Sequence, residues 1–172
     1  MIRKIPLALL LAAASAVPAA AEPATLLGVF QNWSAYSSGS GAGLTCYALS
    51  KPTAKRPATA KRGDVWLMVS DWPERKTRAE PQVVLGYGVK ENAPAALGIG
   101  SAKFNFFARG AGNDGSAWLQ SLGENARLIE AMGKGVSAVA TGTSARGTKT
   151  SDTYSLAGFP DALAKIHDVC KM

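Results

Sequence analysis

Short runs in which apolar residues fall on every second position recur along most of this chain, separated by clusters of glycine, serine and proline. Residues 44–49 place Leu44, Cys46 and Ala48 on one side and Thr45, Tyr47 and Leu49 on the other, the period of a strand with at least one buried face. Residues 27–36 are rich in aromatic and apolar side chains and end at a serine–glycine cluster, and they are expected to form one strand. The apolar run 65–69 lies between Asp64 and Asp71 and predicts a central strand. Residues 83–89 continue the series, with Gly86 and Gly88 on one face where a neighbouring backbone or ring can come close. In 103–108 Phe104 and Phe106 share a face. Asp114-Gly115 then signals a hairpin turn into a short strand at 117–119.

Two stretches follow a helical period instead. Leu128, Ile129 and Met132 recur at helical spacing in 125–132, closed by Gly133 and Gly135. The second helix starts near Pro160, a residue favoured at the first helical position, and carries Leu163, Ile166 and Cys170 along one side. The predicted fold is mainly β: an antiparallel β-sandwich or barrel-like single domain with two short helices, the last at the C-terminus.

Residues 142–159, GTSARGTKTSDTYSLAGF, gather a serine, an arginine, an aspartate and a tyrosine. The flanking runs 136–140 and 150–156 are both extended in pattern, and SARG supplies turn residues. Asp152, Tyr154 and Leu156 share one face of the second run, and Ser151, Thr153 and Ser155 share the other. The stretch predicts a hairpin in a sheet with one solvated face.

The beginning of the chain has a different character. Arg3 and Lys4 precede an apolar run and a small-residue stretch ending at Ala21, the layout of a secretory signal peptide. We therefore expect a signal peptide at 1–21, a single domain at 22–172, and a periplasmic or secreted protein. No later run approaches the ~20 apolar residues of a transmembrane helix. In an oxidising compartment the two cysteines, Cys46 and Cys170, have one possible intramolecular pairing and are expected to form a structural bridge. Their separation argues against a redox pair, and one histidine with two distant cysteines makes a poor zinc site.

The formal charge is +7. Part of the basic excess is concentrated in KPTAKRPATAKRG, where Lys51, Lys55, Arg56, Lys61 and Arg62 occur with no acid among them. Pro52 and Pro57 keep this segment extended and out of helix or central strand. It reads as a flexible, solvent-exposed basic loop, suited to capturing an anionic partner such as a lipid headgroup, lipopolysaccharide, a wall polymer or an acidic protein. The plain alternative is a solvated loop that aids solubility. No aromatic residue is interleaved with these charges, so nucleic acid is a poor candidate.

Catalytic patterns are absent. The single histidine, His167, lies on the last helix close to Cys170 with Asp168 turned about 100° away around the helix, and no G-x-S-x-G elbow occurs. A combination of Ser144, His167 and Asp152 can be written down, but such a set is available in nearly any chain. The acids are scattered: Asp64 and Asp71 bracket a strand, and Glu74 and Glu80 sit among Arg75, Lys76 and Arg78 as on a solvated surface. Neither an HExxH motif nor a calcium-loop pattern is present. The tryptophans read as packing residues, with Trp72 in DWPERK the one expected to be exposed and available for contact.

Taken in order, several landmarks form a recognisable series. They are Phe30-x-x-Trp33, a cysteine a dozen residues later, and Leu128-x-x-Ala131-Met132-x-x-Gly135. Gly142-Thr-Ser-Ala-Arg-Gly147, Asp152-Thr-Tyr-Ser-Leu156-x-Gly158-Phe159, Ala162 and Cys170 follow. This series resembles the invasion-associated locus B family of exported bacterial proteins. It differs at the start, where the family's Phe-Gly-Asp-Trp is replaced by Phe30-Gln31-Asn32-Trp33. The resemblance implies a secreted or periplasmic β-rich domain without known enzymatic activity, in some relatives linked to entry into host cells, and no catalytic residue to carry over. The reading that follows is a non-catalytic envelope binding module, monomeric and without cofactor, with an unknown envelope or host component as partner. The alternative is a hydrolase using a hydroxyl nucleophile with His167.

Overall fold

Alternation in the sequence becomes alternation in burial. In the computed structural model, which describes residues 23–90 and 92–172, strand β3 (Thr45–Ser50) buries Cys46, Ala48 and Ser50 and turns Thr45, Tyr47 and Leu49 outward. The segment read as a signal peptide, 1–21, lies outside the described residues. The other strands are β1 (Thr25–Phe30), β2 (Trp33–Ser38), β4 (Ala54–Arg56), β5 (Trp66–Trp72), β6 (Thr77–Val84) and β7 (Ala93–Ile99). They continue with β8 (Ala102–Arg109), β9 (Ser116–Leu119), β10 (Ser137–Thr143) and β11 (Lys149–Ser155). The α-helices are α1 (Asn125–Lys134) and α2 (Phe159–Cys170).

All eleven strands join one antiparallel sheet in the order β1-β2-β3-β5-β6-β9-β8-β7-β10-β11-β4. The sheet rolls, and chain length shows why. Only residues 51–53 separate β3, third from one edge, from β4 at the other edge. Such a link spans at most roughly 14 Å, so the two ends of the sheet are drawn together. The edge strands β1 and β4 do not pair with each other, and the barrel stays open. Leu67, Val83, Leu97, Phe104, Phe106 and Tyr154 are buried in the core.

Helix α2 covers the β1-β2-β3-β5 end, burying Phe159, Ala162, Ile166 and Cys170. The rings of Trp33 and Phe159 meet at 4.9 Å, and the Trp33 indole N–H donates to the Ser155 carbonyl at 3.0 Å. At the far end of the helix Cys46 and Cys170 form a disulfide between positions 124 residues apart. Gly158 takes φ 89°, and a Cβ there would lie 1.9 Å from the Phe30 carbonyl oxygen. Only glycine lets the β1–β2 turn seat against the start of α2.

Four elements differ from the sequence reading. The segment read as a basic loop contains the edge strand β4, held by its pairing with β11. Residues 27–36 are not one strand but the β1–β2 hairpin, turning at Gln31 and Asn32, with Gln31 at φ 52°. The charged stretch before Pro81 is itself strand: β6 starts at Thr77 and ends at Val84, short of the glycines. β9 pairs only with residues 82–84 of β6, so the imino nitrogen of Pro81 takes nothing from that ladder. Strand β7 was not anticipated, because its alanines, glycine and proline carry weak strand preference, yet Ala95, Leu97 and Ile99 alternate inward.

Candidate binding site

The basic segment is laid along the sheet edge and tied down at both ends. The Thr53 N–H donates to the Thr153 carbonyl at 2.7 Å, and the Gly63 N–H donates to the Gly86 carbonyl at 2.8 Å. Between these ties β4 pairs with β11, matching Lys55 to Asp152 and Arg56 to Ser151. A Pro57–Ala60 turn then returns the chain inward to Arg62.

Arg62 does not join the surface charge. Its guanidinium donates to both carboxylate oxygens of Asp152, at 2.8 and 2.6 Å, and the side chains are only 3% and 0% exposed. The hydrogen bond to Asp152 raises the Arg62 pKa above its ordinary value against the opposing effect of burial, so the guanidinium stays charged. Tyr87 flanks the pair, with the guanidinium 6.0 Å from its ring centre. Its hydroxyl meets that of Thr150 at 2.6 Å, and burial raises its pKa. A Cβ on Gly142 would stand 2.7 Å from the Tyr87 hydroxyl, so the first glycine of the GTSARG stretch clears space for this ring.

The β10–β11 hairpin supplies the facing wall. Its turn closes with Gly147 N–H donating to the Ser144 carbonyl at 2.8 Å and Gly147 at φ 87°. The Ala145 N–H donates to the Gly88 carbonyl at 2.7 Å, fixing the tip against the segment that carries Tyr87.

Between segment and hairpin lies a cleft of about 440 Å³. Arg62, Tyr87 and Thr150 form its floor, Thr59, Ser144 and Thr148 add hydroxyls, and Lys61 and Arg146 stand at the rim. Lys61 and Arg146 are exposed and have no ion-pair partner among the described residues. Among the described residues no acidic side chain lines the cleft.

The structure thus divides the predicted basic surface. Lys61 faces the cleft, Lys55 and Arg56 are exposed on the edge strand, and Arg62 is internal. Lys51 sits over the Trp66 ring at 5.0 Å. The sequence marks Arg146 only as the arginine of the 142–159 hairpin, not as part of the basic surface, and it does not mark Tyr87. A cation at the tip of a predicted hairpin was a usable signal for Arg146; nothing local marked Tyr87.

The remaining candidates lie elsewhere. Trp72 is half-buried: its indole N–H donates to Glu80 at 2.9 Å, and the Arg75 guanidinium covers its face at 4.1 Å. His167 Nδ1 bonds Asp71 at 2.7 Å, and Arg78 Nε donates to its Nε2 at 3.4 Å. That arrangement places the imidazole proton on Nδ1. Asp71 also accepts the Ala79 N–H at 2.8 Å. Ser144, His167 and Asp152 therefore each have other partners. The Ser144 hydroxyl oxygen accepts the Thr148 N–H at 3.1 Å, and Asp152 holds Arg62. Among the described residues no cluster of three or more His, Cys, Asp or Glu could hold a metal ion. No helix there is long and apolar enough to cross a membrane.

Comparison with known proteins gives a family and a fold. The family model described as "Invasion associated locus B (IalB) protein" matches residues 33–167. A search of curated proteins returned no match. Among solved structures, the crystal structure of invasion associated protein B from Bartonella henselae is similar at a TM-score of 0.59 and 14% identity. The match covers 84% of this chain and 98% of that one, which establishes a shared fold.

Proposed function

This chain belongs to the invasion associated locus B family, and from that premise we propose that it is an exported, non-catalytic envelope protein that binds an anionic partner. Its contact surface is the cleft between the basic segment and the β10–β11 hairpin, with Lys55 and Arg56 extending the positive field along the neighbouring edge. The observation that carries the reading is convergence. Two segments that are separate in sequence are each hydrogen-bonded into place, so that Lys61 and Arg146 border one cleft, without an acid among the described residues that line it, above a neutralised Arg62.

Several features support this over hydrolysis. The only histidine is engaged by Asp71 away from the cleft, and no described residue lining the cleft offers a base to its hydroxyls. The disulfide and the family both fit an exported protein. A link to host-cell entry is the part of the proposal that rests on the family's name alone.

The test is retention of labelled protein on envelope material at low and at high salt, comparing wild type with Lys61→Gln/Arg146→Gln. Retention that is weakened in the variant chiefly at low salt is the expected outcome. Equal retention of both proteins at low salt removes the cleft as the contact surface.

A further inference from the structure

We infer that the ligand of this cleft is a saccharide carrying an oxyanion, either a carboxylate or a phosphate; the inference rests on the anionic-partner reading above and narrows it. A bare ion does not need what the cleft provides. Its volume of about 440 Å³ is in the range that encloses a small organic molecule. Its charge is divided, with Lys61 on the basic segment and Arg146 on the hairpin tip, so the positive field covers the mouth from both walls.

Half of the residues that line the cleft carry a hydroxyl. Thr59 and Thr148 have no side-chain hydrogen bond among the described residues. The Ser144 oxygen accepts one backbone N–H and keeps its proton for a ligand. The Tyr87–Thr150 pair occupies the floor, and Arg62 holds further N–H groups beyond those given to Asp152. A hydroxyl both donates and accepts, and so can match the alcohol groups of a sugar in either role. Guanidinium and ammonium groups only donate, and match its acid group. Pro57 and Ala60 give a small apolar wall for the C–H face of a ring.

The floor is also rigid before any ligand arrives. Arg62 is fixed by two bonds to a buried carboxylate, and Tyr87 is held between Thr150 and the space cleared at Gly142. A preformed floor lowers the ordering cost of binding.

Calorimetric titration of the folded protein with four probes tests the inference: a short oligogalacturonate, glucose 1-phosphate, an uncharged maltooligosaccharide and pyrophosphate. Binding of at least one charged saccharide, with the uncharged sugar and pyrophosphate roughly tenfold weaker or more, is the expected result. Whichever charged sugar binds tighter distinguishes a uronic-acid source from a sugar-phosphate source. Thr59→Val/Thr148→Val, chosen at exposed positions to leave folding intact, should weaken the charged saccharide severalfold and leave pyrophosphate unchanged. Lys61→Gln/Arg146→Gln should weaken both. Pyrophosphate binding as tightly as the saccharides, or a Thr59/Thr148 variant with no effect on them, overturns the saccharide while leaving an anion-binding cleft in place. Failure of every probe, alongside salt-sensitive retention on envelope material, also overturns the saccharide and leaves the broader reading standing.

Discussion

Arg62 and Asp152, 90 positions apart in sequence, meet through two hydrogen bonds of 2.8 and 2.6 Å with both side chains almost wholly out of water. This pair joins the return of the basic segment to strand β11, and with Tyr87 and Thr150 it links the buried interior to the proposed cleft. Removing one partner strands a charge in a medium that cannot solvate it. Arg62→Gln is therefore expected to cost about 3–5 kcal/mol in urea unfolding. Replacing both partners, as in Arg62→Met/Asp152→Leu, should cost much less, because no lone charge remains. Equal losses for the single and double variants would show that the pair contributes packing and little else.

Tyr154 lies beside this pair with its hydroxyl buried and without a hydrogen-bond partner among the described residues. Burial first, and then the Asp152 charge, push its pKa far above the ordinary tyrosine value, with Arg62 opposing. An unpaired buried hydroxyl costs on the order of 1–3 kcal/mol, so Tyr154→Phe should leave stability unchanged or raise it by about 1 kcal/mol. The pH dependence has a definite sign. The folded state keeps the phenol protonated, whereas the unfolded chain releases the proton near its ordinary pKa of roughly 10. The stability associated with this residue is present below that pH and declines as pH rises beyond it. Unfolding free energies measured across the alkaline range should fall more steeply for wild type than for Tyr154→Phe, and parallel curves would sink the assignment.

Gln31 holds φ 52° at the β1–β2 turn, in the left-handed region where a side chain is disfavoured. The family's usual glycine at this place takes such a conformation without strain. Gln31→Gly is predicted to stabilise the protein by roughly 0.5–1 kcal/mol, since relief of the backbone strain outweighs the added freedom of the unfolded chain. Thermal melts give the answer directly, and a lower Tm in the variant would mean that the Gln31 side chain contributes more than its backbone costs.

Helix α2 has two fastenings at its C-terminal half: the Cys46–Cys170 disulfide and the His167–Asp71 hydrogen bond. The disulfide spans 124 residues, and its removal by Cys46→Ala/Cys170→Ala should cost about 2–5 kcal/mol. His167→Ala removes one of the buried Asp71 carboxylate's two partners and should cost about 1–3 kcal/mol. Neither change touches the cleft. Saccharide or envelope binding by folded His167→Ala should match wild type, and loss of binding in a variant that still melts cooperatively would revive a functional role for the imidazole.

Much of the fold could be read from local pattern. Period-two alternation marks β3, β8 and β11, a continuous apolar run marks β5, helical spacing marks α1 and α2, and export logic pairs the cysteines. What escaped was set by contacts the sequence does not print. The turn at Gln31 carried no glycine, and its geometry is imposed by docking against Gly158. Strand β7 is made of weak strand formers held by β8 and β10 on either side. The site was half legible for the same reason. A run of five cations without acids was visible as charge. That Arg62 turns inward to Asp152, while Arg146 arrives from the hairpin, depends on a pairing between β4 and β11 across roughly a hundred residues.

The measurement closest to the central claim is photo-crosslinking in the native envelope. One photo-reactive residue is placed at the exposed Ala58, beside the cleft, and a control is placed at the exposed Ala164 on α2. A discrete adduct at position 58, absent at position 164 and lost in the Lys61→Gln/Arg146→Gln background, is the predicted result. An adduct at 164 with none at 58 would place the contact surface on the helix side of the domain and contradict the account.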